Sequence, residues 1–151
     1  MTAIKAGDTA KEFTLKDQHD KEVNLSDFRG KRVLLSFHPL AWTSVCAEQM
    51  KALEAHKEKF DALNVVALGL SVDAVPSKNA WAKELGIRNT RLLSDFWPHG
   101  EVAKACGIFR EANGFSERAN IILDEERRVL FVKVYPIKEL PDLEEILKIL
   151  A

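Results

Sequence analysis

A cysteine and a threonine lie three positions apart at the predicted start of a helix. Cys46 follows Thr43 in the segment that begins at Pro39, directly after the apolar residues 33–37, which predict a buried strand. The N–H groups of a helix's first turn lack intrahelical acceptors and carry positive partial charge, which favours a thiolate over a thiol. Because the thiolate is the reactive form of cysteine, Cys46 is a candidate nucleophile.

Each of these residues also has a purely structural interpretation. A free cysteine is most often a small buried core residue, and threonine is a common helix cap. Pro39 lacks an N–H and has a restricted backbone, so it would form a rigid wall beside the turn. In the functional interpretation, the Thr43 hydroxyl holds a substrate oxygen near the Cys46 sulfur.

The elements that must position these residues alternate between strand and helix. Apolar runs and turn residues predict strands over residues 13–15, 22–25, 32–37, 64–73, 92–95, 118–123 and 129–134, and helices over residues 43–63, 77–85, 102–106 and from 141 onward. The central strand–helix–strand portion implies parallel strands with right-handed crossovers, and the closing hairpin implies antiparallel ones. We therefore expect one α/β domain over residues 1–151, with a mixed central sheet, helices on both faces and an N-terminal β-hairpin. Sites in such sheets lie beyond the carboxyl ends of the parallel strands, where Cys46 falls.

The composition of the chain argues against several classes of protein. The chain has 151 residues, of which 46% are hydrophobic and 30% charged, and its net charge of -1 comes without a basic block, which argues against a nucleic-acid partner. No apolar run approaches the roughly 20 residues of a membrane span, and the N-terminus has no apolar signal segment. The cysteines Cys46 and Cys106 are far apart and form no Cys-x-x-Cys motif, which argues against a disulfide-stapled fold and a thiol-based zinc site. We expect a cytoplasmic protein that does not bind a membrane.

The pattern Pro39-x-x-x-Thr43-x-x-Cys46 after an apolar strand resembles the active-site signature of the peroxiredoxins, the alkyl hydroperoxide reductase and thiol-specific antioxidant family. The resemblance runs from about residue 7 to residue 134 and includes the segments 7–15, 25–31, 69–73, 80–81, 93–95 and 102–104. It implies a thioredoxin-like fold with an added N-terminal hairpin. In length and layout the chain is similar to the short, one-cysteine, AhpE-like subgroup.

The resemblance also implies a role for Arg118, because the family uses a distant arginine that arrives on a strand and points at the catalytic sulfur. From composition alone, a surface role is the default for an arginine. Arg118, however, enters a strand of almost purely apolar residues. A guanidinium is always charged and has several donors, so it suits a buried anion.

The implied activity is thiol-dependent peroxide reduction. Arg118 and the helix N-terminus stabilise the Cys46 thiolate, which attacks hydrogen peroxide or an alkyl hydroperoxide and becomes a sulfenic acid. This chemistry requires neither a metal nor an organic cofactor. An external thiol, or a thioredoxin- or glutaredoxin-like protein, would then restore the cysteine.

The role of Cys106 decides between a one-cysteine and a two-cysteine mechanism. It is either a packed side chain or a resolving cysteine that condenses with the sulfenic acid. Lys51 stands where a resolving cysteine five residues after Cys46 would be, and the C-terminal resolving arm of some relatives is missing. The favoured hypothesis is a one-cysteine mechanism; the alternatives are a resolving Cys106, or a peroxide sensor or holdase that uses Cys46. A thiol–disulfide oxidoreductase would need a second cysteine close by, which residues 47–49 do not supply.

Two further features are left open by the resemblance. His38 lies where the family usually has an aromatic or aliphatic residue, and Gln49 lies where relatives often have glutamate or threonine; neither is assigned a role. Aromatic residues near the expected active-site end either pack in the core or form a dimer surface: Trp42, Phe96, Trp97, Phe109 and Phe115. The resemblance implies a homodimer.

Overall fold

The computed structural model describes residues 2–151, which form a seven-stranded mixed sheet, a separate small hairpin and five α-helices. The strands are β1 (Thr14–Lys16), β2 (Glu22–Asn24), β3 (Arg32–Phe37), β4 (Val65–Ser71), β5 (Arg91–Ser94), β6 (Phe109–Arg110), β7 (Phe115–Ser116), β8 (Arg118–Leu123) and β9 (Val129–Tyr135). The helices are α1 (Ser44–Ala55), α2 (Lys57–Ala62), α3 (Val75–Leu85), α4 (Glu101–Ala105) and α5 (Leu143–Leu150).

The order of strands in the large sheet is β2-β1-β5-β4-β3-β8-β9. Strands β3, β4 and β5 are parallel, whereas β8 is antiparallel to β3, β9 to β8, and β1 to both β2 and β5. The carboxyl ends of β3, β4 and β5 therefore meet at one edge of the sheet, which the start of β8 also reaches. The expected mixed sheet and N-terminal hairpin are confirmed.

Side chains alternate between the two faces of the central strands, and each face has its own core. On β3, Val33, Leu35 and Phe37 pack into the core beneath α4, whereas Leu34 packs into the core beneath α1 and α5. Strand β8 follows the same alternation, since Ile121 belongs to the first core and Ile122 to the second. The helices thus lie on both faces of the sheet.

Gly69 in β4 lets α1 lie close against the sheet. A Cβ at this position would clash with the Met50 sulfur and would stand 3.0 Å from a Leu92 methyl group. The absence of a side chain is what allows the helix that carries Cys46 to pack here.

Two predictions about the helices were wrong in detail. The helix predicted over residues 43–63 is interrupted at His56, where α1 ends and α2 begins. The His56 ring Nδ1 lies 2.8 Å from the Ala52 carbonyl oxygen at this break. The last helix begins after Asp142, whose carboxylate accepts a hydrogen bond from Glu144 N–H, rather than at Pro141.

The hairpin β6–β7 was missed by the sequence analysis. Its strands pair through Phe109 with Ser116 and Arg110 with Phe115, around a turn in which Gly114 adopts a φ of 78°. The Asn113-Gly114 pair is a strong hairpin signal, but two-residue strands carry too little hydrophobic alternation to be recognised by pattern.

No helix in the described part of the chain is long and apolar enough to cross a membrane.

Candidate active site

Cys46 is the third residue of α1, whose N-terminus lies beyond the carboxyl end of β3. Its side chain is buried, with 1% of its surface exposed, and it packs in the core beneath α1. The first-turn N–H groups have no acceptor within the helix, and they give this end of α1 a positive partial charge. This placement agrees with the expectation from sequence.

Arg118 reaches the Cys46 sulfur because of its place in the sheet. Strand β8 runs antiparallel to β3, and its residue Ala119 pairs with Phe37, so Arg118 lies at the edge where β3 ends. Alternation puts Arg118 on the same face as Ile122, which is the face that α1 covers. Its Nη1 lies 3.3 Å from Cys46 Sγ, and only 2% of the side chain is exposed.

The guanidinium is held on its other side by one backbone carbonyl. Arg118 Nε and Nη2 donate to the Ile137 oxygen at 2.9 and 2.7 Å. This forked contact fixes the plane of the group and directs Nη1 at the sulfur.

Gln49 completes the contact between α1 and the arginine, a role that the sequence analysis did not assign. Its Oε1 accepts from Arg118 Nη1 at 2.8 Å, and its Nε2 donates to Ser36 Oγ at 2.8 Å and to the Phe37 oxygen at 3.1 Å. The signal available in the sequence was position, because Gln49 lies one helical turn after Cys46 and faces the same way.

Thr43 occupies the N-cap position of α1 but does not cap the helix with its side chain. Its hydroxyl donates instead to the Leu40 oxygen at 2.8 Å and is exposed to solvent. Because the proton is directed at Leu40, the free lone pairs of Oγ1 face outward and can accept a hydrogen bond from a bound molecule.

The loop between β3 and α1, residues 38–43, is tied to the start of α3. Ala41 N donates to Asp73 Oδ2 at 2.8 Å, and Trp42 Nε1 donates to Ser77 Oγ at 3.0 Å. Trp42 has a φ of 69°, a left-handed conformation that is costly for a residue with a side chain. Pro39 is buried at the start of the loop.

A buried lysine that the sequence did not predict contacts His38, the first residue of this loop. Lys78 of α3 has 0% of its surface exposed, and its Nζ lies 2.8 Å from Nε2 of the equally buried His38. Burial lowers the pKa of Lys78 to about 7, although the charges of Asp73 and Cys46 oppose that shift. Burial and then the charge of Lys78 hold the pKa of His38 well below its ordinary value, so the imidazole is neutral. The available signal was Lys78 standing three positions before Trp81 on the buried face of α3.

Cys106 lies on the other face of the sheet. It belongs to the core beneath α4, with Leu35 and Phe37, whereas Cys46 belongs to the core beneath α1. Burial, with a smaller effect of the Asp95 charge, raises the pKa of the Cys106 thiol to about 12. The two thiols are thus separated by the sheet, and Cys106 is not a thiolate at neutral pH.

Among residues 2–151, no group of three or more His, Cys, Asp or Glu side chains is arranged to hold a metal ion.

The chain is similar in sequence to known proteins of one family. Residues 6–132 match the model of the AhpC/TSA family. The chain is 39% identical to alkyl hydroperoxide reductase E of Mycobacterium tuberculosis over 132 residues, which are 87% of this chain and 86% of the relative. It is also 43% identical over 111 residues to a putative peroxiredoxin bcp of Haemophilus influenzae, covering 74% of this chain and 70% of the relative.

The structure is similar to that of a reduced 2-Cys peroxiredoxin of Plasmodium vivax. The TM-score is 0.87 and the identity 32%, over 96% of this chain and 79% of the other. This similarity confirms the thioredoxin-like fold that the sequence resemblance implied. The chain therefore belongs to the AhpC/TSA family of peroxiredoxins, which are thiol-dependent peroxidases.

Proposed function

We propose that Cys46 is the residue that attacks the peroxide, with Arg118, Thr43 and Pro39 as its partners in the site. The contact between Arg118 Nη1 and Cys46 Sγ carries this proposal, because it places a permanent cation against a buried sulfur. The first turn of α1, in which Cys46 lies, adds the positive partial charge of its N–H groups. Both effects favour the thiolate, which is the nucleophilic form.

The substrate is hydrogen peroxide or a small alkyl hydroperoxide. Its O–H donates to Thr43 Oγ1, whose own proton is directed at the Leu40 oxygen. The thiolate attacks the nearer oxygen, an S–O bond forms, and the O–O bond breaks with its electron pair on the departing oxygen. That oxygen takes up a proton and leaves as water or an alcohol, and Cys46 remains as a sulfenic acid. The Arg118 guanidinium and the N–H groups at the start of α1 stabilise the charge that develops on the departing oxygen.

An external thiol, or a thioredoxin- or glutaredoxin-like protein, restores the enzyme. A first thiol condenses with the sulfenic acid, releasing water and forming a mixed disulfide; a second thiol then releases Cys46 and leaves as a disulfide with the first. The opposite-face placement of Cys46 and Cys106 supports this one-cysteine cycle. A disulfide between them would require Cys106 to leave its core.

The test is the intact mass of reduced protein after one equivalent of hydrogen peroxide, without reductant. We expect the gain of one oxygen atom, located at Cys46 and trapped by a sulfenic-acid reagent. A loss of two hydrogen atoms, with Cys46 joined to Cys106, would instead establish the two-cysteine cycle. Oxidation confined to Cys106 would overturn the assignment of the nucleophile.

A homodimer through the active-site end is the proposed assembly. Trp42, Phe96 and Trp97 are 55%, 49% and 80% exposed, and they follow β3 and β5 at the edge where those strands end. Large exposed aromatic side chains at one edge favour an interface. Trp97→Lys should shift the sedimentation coefficient toward that of a monomer, whereas an unchanged coefficient would place the interface elsewhere.

The proposed location is the cytoplasm. Both cysteines are free thiols in the structure, and a cycle that consumes thiols needs a reducing compartment. Fractionation of cells with an antibody against the chain tests this directly, and recovery outside the cytoplasm would contradict it.

A further inference from the structure

The carbonyl group that holds Arg118 belongs to an exposed turn after β9. Glu139 N donates to the Pro136 oxygen at 3.0 Å and closes this turn, and Pro136 and residues 138–140 are exposed. Ile137, inside the turn, accepts both of the hydrogen bonds that fix the guanidinium plane. The direction of the guanidinium therefore depends on the residues that fix the two ends of the turn.

Tyr135, the last residue of β9, is the buried residue at the start of this turn and is only 2% exposed. It pairs with Arg118 of β8, and residues directly opposite each other in an antiparallel pair project to the same face of the sheet. Pro136 follows, and its ring restricts the backbone of both residues. The other end of the turn leads to Pro141, which is buried before α5 begins. Tyr135 is thus joined through one stiff residue to the carbonyl group that holds the arginine.

The Tyr135 side chain is contacted by two of its neighbours on the sheet. Asn120 Nδ2 of β8 donates to the Tyr135 hydroxyl at 3.3 Å, and Lys133 Nζ lies 5.0 Å from the centroid of the ring. Asn120 is 1% exposed, and its Oδ1 has no hydrogen-bond partner among residues 2–151. An unpaired buried oxygen is costly, and an apolar pair of the same shape would be about as stable as this one. Packing alone therefore does not account for the contact between Asn120 and Tyr135.

We propose that Tyr135 is a positioning residue of the peroxidase site. Its hydroxyl, held by Asn120, fixes the end of β9, and the turn that follows then places the Ile137 carbonyl against the guanidinium. This inference rests on the proposed function, because the guanidinium acts there on the Cys46 sulfur. Loss of the hydroxyl would leave the charge of Arg118 in place but would loosen its orientation.

The first test is Tyr135→Phe, which removes the hydroxyl and keeps the ring. We expect the variant to react with hydrogen peroxide on the order of tenfold more slowly, since a small misplacement of an active-site group has a large kinetic effect. We also expect the Cys46 thiolate, titrated by ultraviolet absorbance, to form at higher pH than in wild type. Burial raises the pKa of Tyr135, so its hydroxyl remains neutral near neutral pH.

Two further variants separate positioning from stability. Asn120→Leu combined with Tyr135→Phe removes both polar groups, so that no buried group loses its partner. We expect this double variant to recover stability in urea unfolding and to keep the slow reaction. Val129→Ala is the matched control, because Val129 lies at the other end of β9 and is 1% exposed. It should lose stability without a change in the rate or in the midpoint of the thiolate titration.

NMR of the Arg118 Nε–H group reports its geometry without any peroxide. In wild type this group donates to the Ile137 oxygen at 2.9 Å. We expect its signal to move, and its proton to exchange faster with water, in Tyr135→Phe. An unchanged Arg118 signal or an unchanged thiolate midpoint in Tyr135→Phe would overturn the proposal, as would a wild-type rate in the double variant.

If Tyr135→Phe does not fold, Asn120→Leu removes the same hydrogen bond from β8, and the same measurements on that variant decide. Failure of the proposed function would show differently, as peroxide turnover that survives Cys46→Ser.

Discussion

Arg118 Nη1 lies 3.3 Å from Cys46 Sγ, although the two residues are 72 positions apart in the chain. The antiparallel register of β8 with β3 brings Arg118 to the edge where α1 begins, and its place in the alternation of β8 turns it to the face that α1 covers. A shift of one residue in this register would put the guanidinium on the opposite face, away from the sulfur. The geometry of the site is thus a direct consequence of strand pairing.

Replacement of Cys46 by serine should abolish peroxide turnover, because a serine hydroxyl is not ionised at neutral pH and is a poor nucleophile toward peroxide. Peroxide consumption with an external thiol as reductant is the measurement. Cys106→Ser is the matched control, and we expect it to retain turnover, since Cys106 lies on the other face of the sheet. Loss of turnover in the control, with the protein still folded, would favour the two-cysteine cycle.

Arg118→Met should slow the reaction with peroxide and move its pH–rate profile toward alkaline pH by at least about one unit. Removal of the cation beside the sulfur decreases the fraction of thiolate at neutral pH. Arg118→Lys should show an intermediate effect, because an ammonium keeps the charge but not the forked contact with the Ile137 oxygen. Stopped-flow rates across pH test both variants, and a profile identical to that of wild type would remove Arg118 from the site.

Gln49→Met should impair both stability and rate. The change leaves Arg118 Nη1 and the Phe37 oxygen without their Gln49 partner, and a lost buried hydrogen bond costs about 1–3 kcal/mol. Urea unfolding gives the free energy of unfolding, and the pH–rate profile separates the two effects. A loss of stability with an unchanged profile would show that Gln49 does not orient the guanidinium.

Gly69→Ala should lower the free energy of unfolding by about 1–3 kcal/mol, the usual cost of overpacking a core. The new methyl group would meet the Met50 sulfur, which holds α1 against β4. Combining Gly69→Ala with Met50→Ala should relieve part of the clash. In a double-mutant cycle, the loss of unfolding free energy in the double variant should then be smaller than the sum of the two single losses. Additive effects would contradict this account of the contact.

The free energy of unfolding should rise with pH from about 7 to about 9 because of Lys78. The folded pKa of this group, about 7, lies below its ordinary 10.5, so the unfolded chain binds more protons in that window. The contribution of Lys78 to stability is complete above its pKa in the unfolded chain, and it is lost as the pH falls through its pKa in the folded chain. Cys106 acts in the opposite sense only at higher pH, since its pKa is raised from 9.0 to about 12.

Denaturant unfolding of wild type and Lys78→Met at several pH values measures this effect. As the pH rises through this window, the free energy of unfolding of wild type should increase relative to that of Lys78→Met. Parallel curves would mean that Lys78 is protonated equally in the folded and unfolded states.

Local patterns in the sequence were sufficient to predict most of the elements and to indicate Cys46 as a candidate nucleophile. The apolar run of β3, the proline after it and the cysteine at the start of α1 are neighbours in the chain, and their spacing alone predicts a thiol at a helix N-terminus. Arg118 was identified by resemblance to a family, because no local pattern connects it with Cys46. The break at His56 and the hairpin β6–β7 were missed, since each depends on one or two hydrogen bonds rather than on periodicity.

The sequence by itself determined which thiol lies at a helix N-terminus and which elements carry it, because these depend on neighbouring residues. Only the tertiary structure decided which distant groups face that thiol. The register of β8 brings Arg118 to the sulfur, the packing of α3 buries Lys78 against His38, and the sheet separates Cys106 from Cys46. These relationships arise from strand pairing and core packing between segments that are remote in the chain, and such contacts leave no local periodicity in the sequence.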